Sequence, residues 1–213
     1  MRHLREQYPM TQASQHLMRM RDMLEQNGDT ASSDFDLNPE IIRSWPTFKN
    51  LRPAAVLVPL LDTPRGIEVI LTKRASHLKH HPGQIAFPGG KVDAADRNAA
   101  DTALREAHEE IGLERDNVTV LGTMPFHETV THFRITPIVG QVRHAFTPTP
   151  EAGEVAEVFR VPLAYLENPA NYRVEGRFWA GKRRLYYTVP YGPYYIWGAT
   201  ARILRAMAEG LTR

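Results

Sequence analysis

The stretch from Asn98 to Ile111, followed by Gly112, constrains this chain more than any other. At about 100° per residue, Ala100, Ala103, Leu104, Ala107 and Ile111 fall in one arc roughly 100° wide, which predicts a helix over 98–111 lying on a sheet by a narrow apolar face. Gly112 stands where a left-handed C-cap belongs. Glu106, Glu109 and Glu110 share a second arc of similar width. Each like-charged pair at i, i+3 or i+4 costs roughly 0.2–0.5 kcal/mol on an exposed helix, and Arg105, on the less favourable N-terminal side of Glu109, offsets little of it. Such a cluster suits a hard divalent cation, because Mg²⁺ takes carboxylate oxygens and keeps waters that substrate phosphates replace. A solvated acidic face is the bland alternative. Asp93 and Asp96, just upstream, are placed to cap the helix or to touch metal.

The residues before this helix sharpen the reading. Lys73–Lys91, KRASHLKHHPGQIAFPGGK, holds four Lys or Arg and three His without a single acid. A basic surface loop would explain that segment alone. An anion bridging it and the acidic helix would meet metal on one side and cations on the other, the arrangement a phosphoryl substrate needs.

Whole-chain composition excludes several alternatives. The 213 residues carry 26 Lys+Arg against 24 Asp+Glu, nine His and no Cys. Disulfides, thiol catalysis and Cys-ligated zinc are therefore excluded, and the length suffices for a full core without staples. A formal net charge of +2 is too small for a nucleic-acid binder, although 21 of the cations are Arg, suited to forked contacts with carboxylate or phosphate. The N-terminal MRHLREQYPMTQ lacks an apolar signal core, and the longest strongly apolar run, Ala54–Leu61, is far shorter than the ~20 residues needed to cross a bilayer. Leu185–Ala201 is uncharged but is broken by Pro190, Gly192, Pro193 and Gly198. A cytoplasmic location is the expectation.

Periodicity orders the chain into an N-terminal extension, residues 1–50, and a compact domain, residues 51–213. In the extension, Leu17, Met20 and Leu24 predict one helix over Ser14–Gln26, ended by Asn27-Gly28, and Asp29–Pro39 reads as a linker or loop. In the domain, strands are expected at Ala54–Leu61, Ile67–Thr72, Val118–Gly122, Ile135–Val142, Glu157–Pro162 and Arg184–Val189, with a closing helix at Ile196–Gly210. Strands interspersed with three helices imply a mixed sheet covered by helices, an α/β or α+β domain.

The acidic helix and its upstream loop resemble the Nudix hydrolase box, G-x5-E-x7-R-E-U-x-E-E-x-G-U, through Gly90, Arg105, Glu106, Glu109, Glu110, Gly112 and Leu113. Asp96 stands in place of the first Glu, the spacer from it to Arg105 is eight residues rather than seven, and Ala107 occupies the first aliphatic position. The string ILTKRASHLKHHPGQIAFPGGKVD is similar to the signature of the family's coenzyme A pyrophosphatase branch, roughly L-L-T-x-R-S-x3-R-x3-G-x3-F-P-G-G, matching it at Leu71, Thr72, Arg74, Gly83, Phe87, Pro88, Gly89 and Gly90. Ala75 replaces the signature Ser and Lys79 the Arg, the latter keeping the charge. THFRITPIVG, EVAEVFRVPL and IWGATARIL resemble later segments of that branch, so the likeness covers about residues 52–208.

The resemblance implies a Nudix-type α/β/α sandwich with a mixed central sheet, plus an N-terminal helical extension. It implies Mg²⁺ or Mn²⁺ on Glu106 and Glu110, with Glu109 as a further ligand and catalytic residue, and Arg105 holding the glutamates in place. Arg74, Lys79, Gly83, Phe87, Gly89 and Gly90 become the substrate-binding positions. The expected reaction is attack of water on the pyrophosphate of coenzyme A, releasing 3′,5′-ADP and 4′-phosphopantetheine. For the base, an acid beyond the box is expected: Glu154 first, with Glu157 and Glu128 behind it.

Five of the eight Tyr lie within Tyr186–Tyr195, followed by Trp197; such rings stack an adenine, fill a core or face a second copy in a homodimer. His80, His81, His127 and His132 show no helical ligand spacing, and the first two read as substrate-side or surface groups. The expected partner is a small molecule of the coenzyme A type, with no nucleic acid and no membrane. Competing readings are a Nudix hydrolase of another nucleoside diphosphate derivative, such as ADP-ribose or a dinucleotide, a non-catalytic Nudix-fold ligand sensor, and an RNA-binding module, which the absence of an aromatic-basic motif disfavours.

Overall fold

The computed structural model describes residues 12–26, 31–39, 50–179 and 181–212. Two strands form its spine: β2 (Arg52–Thr63) and β8 (Phe133–Val142) run parallel, in continuous register from Arg52 opposite Phe133 to Leu61 opposite Val142. Along β2 the side chains alternate. Ala55, Leu57 and Leu61 face one core, while Val58 and Leu60 face another, as a strand buried on both faces requires.

Antiparallel strands extend this spine on both sides. β3 (Gly66–Arg74) pairs with β2, β4 (Ile85–Ala86) and β9 (Val155–Pro162), while β6 (Val118–Thr123) and β7 (His127–Glu128) pair with β8. The three-residue β5 (Gly89–Lys91) lies antiparallel on the N-terminal part of β2. A two-residue β1 (Ser32–Ser33) adds in parallel to β7. The result is one mixed sheet, with β10 (Arg173–Trp179) and β11 (Lys182–Thr188) forming a separate hairpin.

Helices cover both faces. α2 (Ala99–Ile111) packs Ala103, Ala107 and Ile111 on Ala55, Leu57, Ile70 and Ile138. The opposite face is covered by α1 (Gln12–Gln26), the short α3 (Leu163–Glu167) and α4 (Gly198–Leu211), through Met20, Met23, Leu163, Leu166, Ile203, Leu204 and Met207. This is the α/β/α layering expected from the sequence. Among the described residues no helix is long and apolar enough to cross a membrane.

The departures have local causes. α4 starts at Gly198 rather than Ile196, because Ile196 accepts the Val189 N–H at 2.9 Å and Trp197 is extended at φ −149°, bridged to Thr188. The expected Asn27-Gly28 stop lies outside the described residues. Of the expected linker, residues 31–39 are tied down rather than loose. Ser32 Oγ lies 2.9 Å from the Nδ1 of the fully buried His127, and Asp34 accepts the Val130 N–H at 3.0 Å and pairs with Arg184 at 3.0 Å. Asn38 brackets the Leu185 backbone, accepting its N–H at 2.7 Å and donating to its carbonyl at 2.9 Å. His127 is thus a structural group that fastens the segment to β7.

Candidate active site

Two neighbouring glycines bring α2 and the sheet together. β5 lies so close to β2 that a Cβ on Gly89 would stand 2.5 Å from the Ala55 carbonyl oxygen, while one on Gly90 would stand 2.5 Å from the Glu106 carboxylate. The Gly89 N–H donates to Glu110 Oε2 at 3.3 Å. The loop therefore presents bare backbone to the two glutamates that one helical turn places on the same face.

α2 is fixed at both ends by its own caps and along its length by Arg105. Its N-cap is Asn98, whose Oδ1 accepts the Asp101 N–H at 3.0 Å, and Gly112 closes it at φ 67°. Neither Asp93 nor Asp96 caps it. Asp96 instead takes both Nε and Nη2 of Arg105, at 3.0 and 2.9 Å, and also accepts from the Thr102 hydroxyl and the Asp93 N–H. The remaining guanidinium donors reach the Lys91 carbonyl at 3.1 Å, Glu106 Oε1 at 2.9 Å and Glu109 Oε2 at 3.0 Å. Arg105 thus locks the β5 loop, the Asp96 turn and Glu106 into one unit through its planar fork. The Arg105 hydrogen bonds, joined by the Asp93 N–H and the Thr102 hydroxyl, hold the Asp96 carboxyl well below the ordinary carboxylate range.

The surroundings of Glu106 and Glu110 disfavour their charged forms. Burial pushes Glu110 up to about 8, against the Gly89 hydrogen bond, and the charges of Glu106 and Glu154 push the same way. Burial also raises Glu106, with Glu109 and Glu154 adding repulsion and Arg105 opposing it. Among the described residues no three Asp, Glu, His or Cys side chains converge as a ready-made metal cage. Glu109 is 55% exposed at its side chain and rests on Arg105, so the three expected ligands are not gathered at one point. The set that remains, a buried Glu110 and a half-buried Glu106 on one helix face beside bare glycine backbone, fits a cation such as Mg²⁺, which binds through one or two carboxylates and completes its shell with water and substrate phosphate.

The other expected residues divide. Glu154 reaches this cluster electrostatically from the start of β9, where its carbonyl accepts the Ala75 N–H at 2.8 Å. Glu157 is engaged by the Tyr194 hydroxyl and Glu128 by Arg134 at 3.1 Å, which leaves Glu154 as the acid facing the glutamates. Arg74, at the end of β3, acts on Glu110 by charge, and its Nε is buried without a hydrogen-bond partner. Gly83 sits at φ 68° with its N–H on the Arg74 carbonyl, and Lys79 is exposed on the same loop. Phe87 is 3% exposed and packs in the core cluster.

The aromatic run also divides. Tyr191 meets Tyr165 edge-on and serves packing. Tyr194 stacks on Phe159 with centroids 3.6 Å apart and also borders a cleft with Trp197, which is in edge contact with Tyr186 at 5.3 Å. The cleft has two lobes of ≈ 450 and ≈ 360 Å³ that share His81, Gln84, Arg177 and Trp197. Sequence reasoning missed Arg177 and Asp34 here, because no strand is expected over 173–179 and the segment around Asp34 reads as a linker or loop.

The Nudix hydrolase NudL of Enterobacter sp. (strain 638), described as uncharacterized, is 40% identical over 159 residues, covering 75% of this chain and 82% of that protein. Its counterpart from Salmonella dublin is 38% identical over 171 residues, 79% of this chain and 88% of that one. Among solved structures, a NUDIX hydrolase from Alicyclobacillus acidocaldarius is 20% identical, spans 76% of this chain and 92% of its own, and superposes with a TM-score of 0.45. The NUDIX domain family matches residues 51–180, the span that holds the β5 glycines, the Arg105 clamp and the paired glutamates, and the chain belongs to that family of hydrolases.

Proposed function

We propose that this protein is a metal-dependent pyrophosphohydrolase that cleaves coenzyme A or its derivatives to 3′,5′-ADP and 4′-phosphopantetheine. The observation that carries the reading is the apposition of the Arg105-clamped Glu106 and the buried Glu110 with the Gly89-Gly90 backbone, at the end of the basic, acid-free segment 73–91. The substrate assignment rests on the run from Leu71 to Gly90, whose pattern is that of the coenzyme A branch. In the same reading residues 51–213 form the hydrolase domain and residues 1–50 an extension to it.

Glu106 and Glu110 would hold a Mg²⁺ or Mn²⁺ ion, which supplies charge neutralisation on the pyrophosphate oxygens and acidifies water. The chain's own groups do the rest. Glu154 takes a proton from the attacking water as the water oxygen bonds to phosphorus. The bridging P–O bond breaks, and the departing phosphate leaves as a monoester. Arg74, with one buried donor unspent, meets the charge that builds on the phosphoryl oxygens. Arg105 touches no substrate and acts by positioning Glu106.

The test is incubation of the purified protein with Mg²⁺ and coenzyme A, ADP-ribose or a dinucleoside polyphosphate, with products identified by mass spectrometry. Phosphopantetheine and 3′,5′-ADP are expected; turnover of ADP-ribose with none of coenzyme A would remove the substrate assignment. Glu110→Gln should lower turnover at least ~100-fold while the protein remains folded, and unchanged activity would remove the metal assignment.

A further inference from the structure

The cleft beside the glutamates has a charge arrangement that the hydrolytic site does not use. Its larger lobe is lined by Lys73, His81, Arg177 and Trp197 and by no carboxylate. Its smaller lobe is walled by Val130, Tyr186 and Trp197, with Asp34 and Arg184 at its side. The cleft and the phosphoryl end share a strand: Lys73 on the cleft wall immediately precedes Arg74, the cation that acts on Glu110, and Gly83 on the same wall donates to the Arg74 carbonyl at 3.2 Å.

Within it, the β10–β11 register sets Arg177 directly opposite Arg184. Like charges so placed are destabilising unless something offsets them. Arg184 is offset by Asp34 at 3.0 Å. Arg177 makes no ion pair among the described residues; its guanidinium lies over the Trp197 ring at 5.9 Å, and it borders both lobes. Lys73 makes no ion pair either among the described residues. The acids nearest to them in the strand registers are engaged. Glu157, opposite Lys73, accepts from Tyr194, and Glu175, two positions before Arg177, accepts from Tyr195 at 2.7 Å and Thr188 at 3.3 Å. Two cations without an ion pair among the described residues, beside a half-buried aromatic wall, describe a site for a phosphomonoester joined to a planar base, in a volume of the size ligand pockets have.

We propose that this cleft receives the nucleoside of the substrate, with Trp197 and Tyr186 against the base and Arg177 and Lys73 on a phosphomonoester carried by the ribose. The inference rests on the coenzyme A reading and deepens it: the ribose phosphate, remote from the scissile pyrophosphate, becomes the group by which substrates are selected. It also gives the N-terminal segment a role in the site, since Asp34 offsets Arg184 and leaves Arg177 as the cation for the ligand. Asp34, Arg184, Tyr186 and Trp197 all lie outside the span matched by the family.

The experiment measures binding of adenosine 3′,5′-bisphosphate and of 5′-AMP to the full chain by calorimetry in EDTA, so that neither metal nor catalysis enters. The bisphosphate should bind at least ~10-fold more tightly, and Arg177→Gln and Lys73→Gln should each shrink that preference severalfold without moving the melting temperature. Equal affinities in the wild type, or a preference untouched in both variants, overturn the proposal. In parallel, the kcat/KM ratio of coenzyme A to dephospho-coenzyme A should exceed ~10 and collapse in Arg177→Gln through KM. If the protein cleaves neither compound yet retains the Arg177-dependent preference for the bisphosphate, the reaction assignment fails and the pocket stands.

Discussion

Gly89 and Gly90 are neighbours in one short strand, yet alanine at each should fail differently. A Cβ on Gly90 would meet the Glu106 carboxylate carbon and oxygens at 2.5–2.6 Å, whereas ordinary contact begins at 3.4 Å, so the carboxylate must withdraw by about 0.9 Å. The obstacle is the end of a flexible side chain, so the fold gives way cheaply. What is lost is the Arg105–Glu106 contact at 2.9 Å, in a pair 21% and 17% exposed, worth at most about 1 kcal/mol, partly returned by the lower chain entropy of alanine in the unfolded state. Displacing a positioned catalytic group by about 1 Å costs on the order of 100-fold in rate. Gly90→Ala should therefore melt within about 3 °C of the wild type while losing about two orders of magnitude in kcat/KM for coenzyme A.

On Gly89 the same atom would meet the Ala55 carbonyl oxygen at 2.5 Å and the Val56 Cα at 2.6 Å, both backbone, and β5 would have to part from β2. Overpacking of this kind costs about 3 kcal/mol, which at roughly 2–4 °C per kcal/mol for a chain this size lowers the melting temperature by about 6–12 °C. Paired thermal melts and steady-state kinetics decide the matter. A Gly90→Ala variant with wild-type turnover, or a Gly89→Ala variant with wild-type stability, would show that the close approach of β5 is not what the two glycines are for.

Further outcomes follow from the same contacts. Arg105→Lys keeps the charge but cannot serve Asp96 with two nitrogens while reaching Glu106, Glu109 and the Lys91 carbonyl, so kcat should fall about 10–100-fold with little change in melting temperature; full activity would assign the work to charge alone. Asp34→Asn should destabilise the protein by about 2 kcal/mol at neutral pH in a denaturant titration, because it leaves Arg184 facing no carboxylate. Burial alone would raise the Asp34 carboxyl, but His127, Arg184 and the Val130 N–H overcome it and hold the group below its ordinary value. Its contribution is therefore complete above the unfolded pKa of about 3.9 and disappears as pH falls through the folded one. The stability gap between wild type and Asp34→Asn should stay constant down to about pH 5 and close below it; a gap that widens in acid would contradict the assignment.

Much of the site is legible in the amino-acid order because it is local. A helix repeats on its own, so the composition of 98–111 alone puts Ala103, Ala107 and Ile111 on the sheet, sets Glu106 and Glu110 one turn apart, and ends the helix at Gly112. The strands are readable for the same reason, since an apolar run as short as Ala54–Leu61, followed by the turn residues Thr63–Gly66, fits a strand buried on both faces. The family pattern is legible too, but its weakest position becomes meaningful only in three dimensions: Asp96, where a Glu is expected, is the carboxylate that takes both arms of Arg105.

What the chain alone could not decide depends on partners distant in sequence. The chain ranks Glu154 ahead of Glu157 and Glu128, but only the folded contacts of Tyr194 and Arg134 show that the latter two are engaged elsewhere. That Phe87 is buried in the core follows only from the sheet, since the amino-acid order shows it merely as part of a loop pattern. Ser32 and Asp34, which help residues 31–36 resemble a linker, are the side chains that His127, Val130 and Arg184 bind from 93 or more residues away. Short-range periodicity thus determined the elements and the spacing of the carboxylates. Which polar groups are spent and which are left for a ligand was decided by tertiary contacts, because a donor is free only once every other acceptor around it has been placed.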